Sequence, residues 1–217
     1  ISFKLNFKIA VISIDDFYLP SDEMKLAIEN NPWNVSRGFP GSHSVKLMHE
    51  KILNWKINGE LRVPVFDKSL RNGLGDRSHW RSDNPDLLII EGWFLGIEPC
   101  PGDYIHQHVN SLELSSHESS YRLNIQNNLK EYLDVWTLID NIWHLKPLKC
   151  EFMNMWKSNQ EKEMFLKKGK ALQDEKLSNF LRMLNVSIPQ KNFDDIKAYA
   201  LLLIDQERNL VEAGLNL

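Results

Sequence analysis

The run Ile9-Ala10-Val11-Ile12-Ser13-Ile14, stopped at once by Asp15-Asp16-Phe17-Tyr18-Leu19-Pro20, constrains this chain more than any other stretch. Short β-branched apolar runs bounded by turn residues read as buried strands. In open α/β sheets, ligands gather just beyond the carboxyl ends of the strands, so acids placed there are held near a cleft by a rigid element. Taken alone, Asp15 and Asp16 serve equally well as a turn or a helix cap, for which Asp is a common choice.

A second stretch repeats the arrangement. Asp86-Leu87-Leu88-Ile89-Ile90-Glu91-Gly92-Trp93 reads as the clearest buried strand, and it too ends on a carboxylate. Buried strands seldom finish on an acid without a partner for its charge. Two such strands predict one site with clustered carboxylates, a setting suited to Mg²⁺. Helical patterns over 21–30 (capped by Ser21 or Asp22), 45–58 (capped by Ser44), 121–133, 149–170 and 174–184 separate further strand-like runs. Those runs lie at 61–66, at 135–145 as a third buried strand, and in a hairpin-like pair at 197–203 and 209–215. The alternation predicts an α/β fold with a mainly parallel sheet.

Two loops stand out by chemistry. Arg37-Gly38-Phe39-Pro40-Gly41-Ser42-His43 combines glycines, which permit close backbone approach to a ligand, with an Arg and a His suited to anions. Asp67-Lys68-Ser69 through Arg71-Asn72-Gly73-Leu74-Gly75-Asp76-Arg77 interleaves glycines with Lys68, Arg71 and Arg77, a pattern that fits phosphate or carboxylate recognition as well as a charged surface loop. His106, His108 and His117 lie in a polar linker with no metal-ligand spacing.

The bulk numbers exclude some partners. The chain has 217 residues, 42% hydrophobic and 25% charged, enough for one large domain, and a net charge of −3 that gives no electrostatic reason to expect nucleic acid or membrane. No apolar run approaches the roughly 18 residues of a membrane span. Cys100 and Cys150 match no metal or redox spacing and fit reduced thiols in the cytoplasm. The opening Ile1-Ser2-Phe3-Lys4 leads into a strand with almost no lead-in, and further sequence is expected upstream.

Taken together, these motifs resemble the phosphoribulokinase, uridine kinase and pantothenate kinase group of P-loop kinases, most closely its glycerate 3-kinase branch. The resemblance rests on Ser13-Ile14-Asp15-Asp16-Phe17-Tyr18-Leu19, Arg37-Gly38-Phe39-Pro40-Gly41-Ser42-His43, Pro64-Val65-Phe66-Asp67-Lys68-Ser69, Gly73-Leu74-Gly75-Asp76-Arg77 and Ile90-Glu91-Gly92-Trp93. Trp156-Lys157-Ser158-Asn159-Gln160-Glu161 is a weaker match, and 97–120 matches least.

The resemblance implies a single kinase-like domain over 1–217 on a P-loop, three-layer α/β/α fold with a lid-like helical segment at about 150–190. It implies ATP and Mg²⁺, and transfer of a phosphoryl group to a hydroxyl of glycerate or a similar small metabolite. Asp15 and Glu91 become the catalytic and metal-side acids. Asp16, Tyr18, Arg37, His43, Lys68, Asp76 and Arg77 fall on the substrate side. Lys157 stands near the nucleotide, where the family usually has an arginine whose bidentate fork Lys lacks. Ser44 replaces the family's Asp, which loosens the assignment to glycerate. The phosphate loop Gly-x-x-x-x-Gly-Lys-Ser/Thr is not among these residues, and the first strand and that loop are expected before Ile1. Without the loop these residues are expected to be inactive. A non-catalytic, kinase-derived protein that binds a metabolite or a partner is the alternative, and a metal-dependent hydrolase using Asp15 and Glu91 is a third.

Overall fold

The computed structural model describes residues 6–106, 112–169, 172 and 174–215. They form two compact units: those within 1–31, 36–99 and 123–139 make the first, and those within 32–35, 100–122 and 140–217 the second.

In the first unit, β1 (Ile9–Ser13) lies parallel to β4 (Leu87–Glu91), with Ile9 opposite Leu87 and Ser13 opposite Glu91. Both acid-ending strands predicted from sequence therefore exist, side by side, with their carboxyl ends together. They are not buried on both faces. Ala10 and Ile12 are buried, whereas Val11, Leu87 and Ile89 are exposed. A continuous apolar run has the same composition whether one face or two is covered, so periodicity could not separate the cases.

β2 (Leu61–Asp67) pairs antiparallel with β3 (Asp76–Asp83) across a bulge at Val65 and Phe66. β3 replaces part of the loop expected at 71–77. Its sequence, Asp-Arg-Ser-His-Trp-Arg-Ser-Asp, has no apolar alternation to announce a strand. Backbone pairing to β2 makes it one, and Arg62 and Lys51 cover its Trp80 ring.

Helix α1 spans Ser21–Ala27 and is entered through Pro20 without a side-chain cap, so neither Ser21 nor Asp22 caps it. Helix α2 (Val45–Asn58) buries Val45, Met48 and Ile52 at helical spacing and stops at Gly59, whose φ of 74° is the left-handed value glycine tolerates. Ser44 stands at its N-cap but makes no cap bond, because its hydroxyl serves Arg77 instead.

A short helix, α3, spans Gly102–Ile105, and the long α4 spans Ser116–Trp136. The strand expected from 135 onward begins only at β5 (Trp143–Pro147). Val135 and Trp136 close α4 instead. Both are buried and continue the face of Ile125, Leu129 and Tyr132, so helical packing overrides their strand propensity.

In the second unit β5 runs parallel to β6 (Ala200–Ile204), which turns through Asp205–Arg208 into antiparallel β7 (Leu210–Leu215), the predicted hairpin. Helices α5 (Glu151–Lys168), α6 (Asp174–Val186) and α7 (Gln190–Asp194) complete it. A polar cluster that sequence did not foretell pins this unit. Buried Glu118 takes Arg182 on both oxygens at 2.8 Å and the Trp33 indole N–H at 2.9 Å. Arg122 donates to the carbonyls of Val186 and Ile105 at 2.6 and 2.9 Å. Parallel pairs alongside antiparallel hairpins and helices make the fold mixed α/β. Among the described residues no helix is long and apolar enough to cross a membrane, and neither Cys100 nor Cys150 is in a disulfide.

Candidate active site

Directly after β1 the chain enters a single 3₁₀ turn, Ile14–Phe17, fastened by its fully buried Ile14 and Phe17. The Ser13 hydroxyl accepts the Asp15 N–H at 3.2 Å, and the Asp16 carboxylate accepts the Ser13 N–H at 3.1 Å, a reciprocal capping box. Asp16 also faces Arg81 at 3.8 Å. The two acids, indistinguishable in sequence, therefore differ in placement: Asp16 clasps the turn, and Asp15 projects from it.

Asp15 meets two groups from the predicted loops. Lys68 Nζ donates to its Oδ2 at 2.8 Å, and Nε2 of His43 lies 3.9 Å from its Oδ1. Burial on its own would raise the Asp15 pKa. His43, the Lys68 ammonium and the Tyr18 hydroxyl outweigh it and hold the carboxyl well below the usual range, so it is ionised at neutral pH. The 3.9 Å gap to His43 is longer than a hydrogen bond, and Nε2 has no bonded partner. That contact is electrostatic in this geometry.

His43 is 4% exposed and its ring is caged. Tyr18 stacks on it with centroids 4.5 Å apart, and Phe94 and Tyr132 meet it edge-on at 5.6 and 6.0 Å. Its Nδ1 lies 2.9 Å from the Tyr132 hydroxyl. Burial pushes the imidazole pKa down while Asp15 acts the other way, and the net shift is downward. Burial likewise raises the Tyr18 and Tyr132 phenols, which keep their protons.

The remaining loop residues build walls around this centre. Arg37 donates to the carbonyls of Gly73 and Leu74 at 3.2 and 2.6 Å and lies over the rings of Tyr18 and Phe66 at 6.0 and 5.5 Å. Arg77 donates to the Tyr18 carbonyl and, at 2.6 Å, to the Ser44 hydroxyl, and burial lowers its pKa. Asp76 is held by Arg71 at 2.6 Å and by the Arg77 N–H at 2.9 Å. Gly41 needs its φ of 102° and lies so close to Asn128 that a β-carbon would sit 2.1 Å from Nδ2. Packing on α4, rather than the ligand access expected from sequence, thus accounts for this glycine.

Glu91 stands one strand over, opposite Ser13, and its exposed carboxylate has no ion-pair partner among the described residues. No group of three or more His, Cys, Asp or Glu that could hold a metal occurs among them. Mg²⁺ commonly relies on one or two carboxylates plus substrate phosphates, so Glu91 fits that ion, while Asp15 is already engaged by Lys68. His106 bonds the Ser119 hydroxyl at 2.6 Å, and His108 lies outside the described residues. Lys157, in the second unit, pairs with nearly buried Glu161 at 2.5 Å and sits 4.9 Å from the Phe180 ring centre.

Sequence reasoning missed Tyr132, Phe66 and Phe94. The helical period of Ile125 and Leu129 extends to Tyr132 and marks it as buried, but nothing in the period reveals that its hydroxyl meets His43.

Among known proteins, the chain is 30% identical over 200 residues to an uncharacterized kinase, mug58, of Schizosaccharomyces pombe, a match covering 87% of this chain and 70% of the relative. It is 30% identical over 187 residues to the chloroplastic D-glycerate 3-kinase of Arabidopsis thaliana, covering 80% of this chain and 39% of that protein. A solved structure of D-glycerate 3-kinase from Cryptococcus neoformans var. grubii superposes with a TM-score of 0.85 at 26% identity, over 99% of this chain and 82% of that one. No family model matches. The chain belongs to the glycerate 3-kinase-like family of P-loop kinases.

Proposed function

We propose that the full-length protein transfers the γ-phosphoryl group of ATP to a hydroxyl of a small anionic metabolite, glycerate or a similar hydroxy acid, and that Asp15 meets that hydroxyl. The observation that carries this reading is one ionised carboxylate at the end of β1, held between an exposed ammonium and a buried imidazole.

Phosphoryl transfer asks a protein mainly for positioning and charge neutralisation. A carboxylate with so low a pKa is a weak base, but a loose transition state leaves the acceptor's proton in place until late. Asp15 thus orients the hydroxyl and takes its proton as the new O–P bond forms. Lys68 is the mobile partner: its side chain is 60% exposed, and an acceptor carboxylate offers it a second anion. Once Lys68 moves to that anion, Asp15 becomes a stronger base. Arg37, Arg77, Tyr18 and Asp76 keep the acceptor loops in register, and Asp16 keeps Asp15 aimed. Glu91 would hold Mg²⁺, which would supply charge neutralisation for the phosphate oxygens during transfer. On the lid-like segment, Lys157 serves the nucleotide by leaving Glu161. The unbridged thiols support a cytoplasmic location.

A coupled assay of ADP release by the full-length protein with Mg²⁺-ATP and D-glycerate tests the proposal. ADP formation that depends on glycerate, or on another small hydroxy acid in a panel, is the expected result. Calorimetric binding of such an acid without any ATP turnover would overturn it in favour of a non-catalytic metabolite-binding protein.

A further inference from the structure

We propose that Tyr132 is a positioning residue: its hydroxyl donates to Nδ1 of His43 and so fixes the imidazole tautomer whose Nε2–H faces Asp15. The consequence for turnover rests on the kinase reading above, whereas the tautomer does not.

Donor and acceptor bookkeeping around the ring leads to this assignment. Two hydroxyls lie near Nδ1: Tyr132 at 2.9 Å and Ser42 at 3.5 Å. The Ser42 hydroxyl spends its proton on the Phe39 carbonyl at 2.6 Å and accepts the Gly38 N–H at 3.2 Å. It has no proton left for His43. The Tyr132 oxygen already accepts the Gly41 N–H at 3.1 Å, and its own proton finds an acceptor in Nδ1. Were Nδ1 protonated instead, the phenol oxygen would accept a second N–H and its own proton would turn away from the ring, where it meets no other acceptor among the described residues. A neutral imidazole carries one N–H, so it resides on Nε2.

That N–H is fully buried, unbonded, and aimed at the acid predicted to meet the acceptor, 3.9 Å from its Oδ1. Stacked Tyr18 and edge-on Phe94 prevent the ring from turning elsewhere. Catalytic hydrogen bonds are often long without ligand and tighten in the reacting complex. When Lys68 leaves Asp15 for an anion, closing the gap by about 1 Å gives the carboxylate a replacement donor at hydrogen-bond distance. The Nε2 lone pair of the other tautomer would repel the carboxylate instead. Tyr132, which contacts no substrate in this scheme, thereby decides whether His43 steadies or repels Asp15.

Two measurements on the full-length protein test this. Nitrogen-15 spectra of labelled histidine, with His43 assigned by its absence in His43→Gln, should show a protonated Nε2 and a bare Nδ1. Tyr132→Phe should shift part of the population to the Nδ1–H form. A wild-type Nδ1–H tautomer, or an unchanged tautomer in Tyr132→Phe, overturns the proposal. In the ADP assay, Tyr132→Phe should lower kcat about tenfold or more. His43→Gln retains an N–H near the Nε2 position without tautomers, so adding Tyr132→Phe to it should change kcat by less than about twofold. Equal losses in both backgrounds would mean a merely structural Tyr132 and overturn the idea. If no acceptor is phosphorylated, the kinase reading fails alone, and the nitrogen spectra still decide the tautomer.

Discussion

Replacing Asp15 by Asn separates chemistry from fold. The amide is isosteric, still accepts from Lys68, and leaves the capping box of Ser13 and Asp16 intact. What disappears is the negative charge that orients the acceptor and receives its proton. Loss of a positioned proton acceptor costs about 10²–10⁴ in rate, which corresponds to roughly 3–5 kcal/mol of barrier. The structural loss is far smaller. With Lys68 60% exposed, the ion pair contributes about 0–1 kcal/mol, so the melting temperature should move by no more than about 4 °C for a chain of this size. Steady-state ADP release with D-glycerate, thermal melting and calorimetric ATP binding measure the three quantities. A kcat within about tenfold of wild type would refute the role given to Asp15. A fall in melting temperature beyond about 10 °C would make Asp15 a folding residue.

Three other perturbations follow from the same contacts. Arg182, chiefly, with the Ser115 N–H and Trp33, lowers Glu118 from 4.5 to about 2 against the opposing effect of burial. Its contribution is complete above pH 4.5 and fades as pH falls toward 2. Glu118→Gln should therefore cost on the order of 2–3 kcal/mol in denaturant melts at pH 7, and a cost that persists undiminished near pH 2 would contradict the assignment. Ser44→Asp should stabilise the chain by about 1 kcal/mol, since Arg77 would exchange a neutral acceptor for a charged one; a lower melting temperature would count against it. Gly41→Ala should destabilise by roughly 2–3 kcal/mol, because a left-handed φ and an overlap with Asn128 combine there, and a neutral result in thermal melts would refute the packing account.

Much of the architecture is legible in the residues. The acid-ending runs at 9–14 and 86–91 identify the two strands that pair, and the glycine-rich basic loops identify what surrounds their ends. β3 is illegible because its strand conformation comes from β2 rather than from its own polar sequence. The end of α4 is illegible because Val135 and Trp136 combine strand propensity with a helical burial pattern. Ser44 looked like a cap and instead serves Arg77, a residue far along the chain.

The same division runs through the site. Sequence alone places two adjacent carboxylates at the end of a strand and sets Lys68 and His43 among the substrate-side loop residues. That was possible because charge, strand propensity and turn chemistry are local properties. Which acid clasps the turn, which nitrogen of His43 carries its proton, and that a tyrosine 89 residues along the chain decides it are matters of tertiary structure. Hydrogen-bond bookkeeping depends on which donors and acceptors folding brings within 3 Å or so of one another, and separation along the chain carries no record of that.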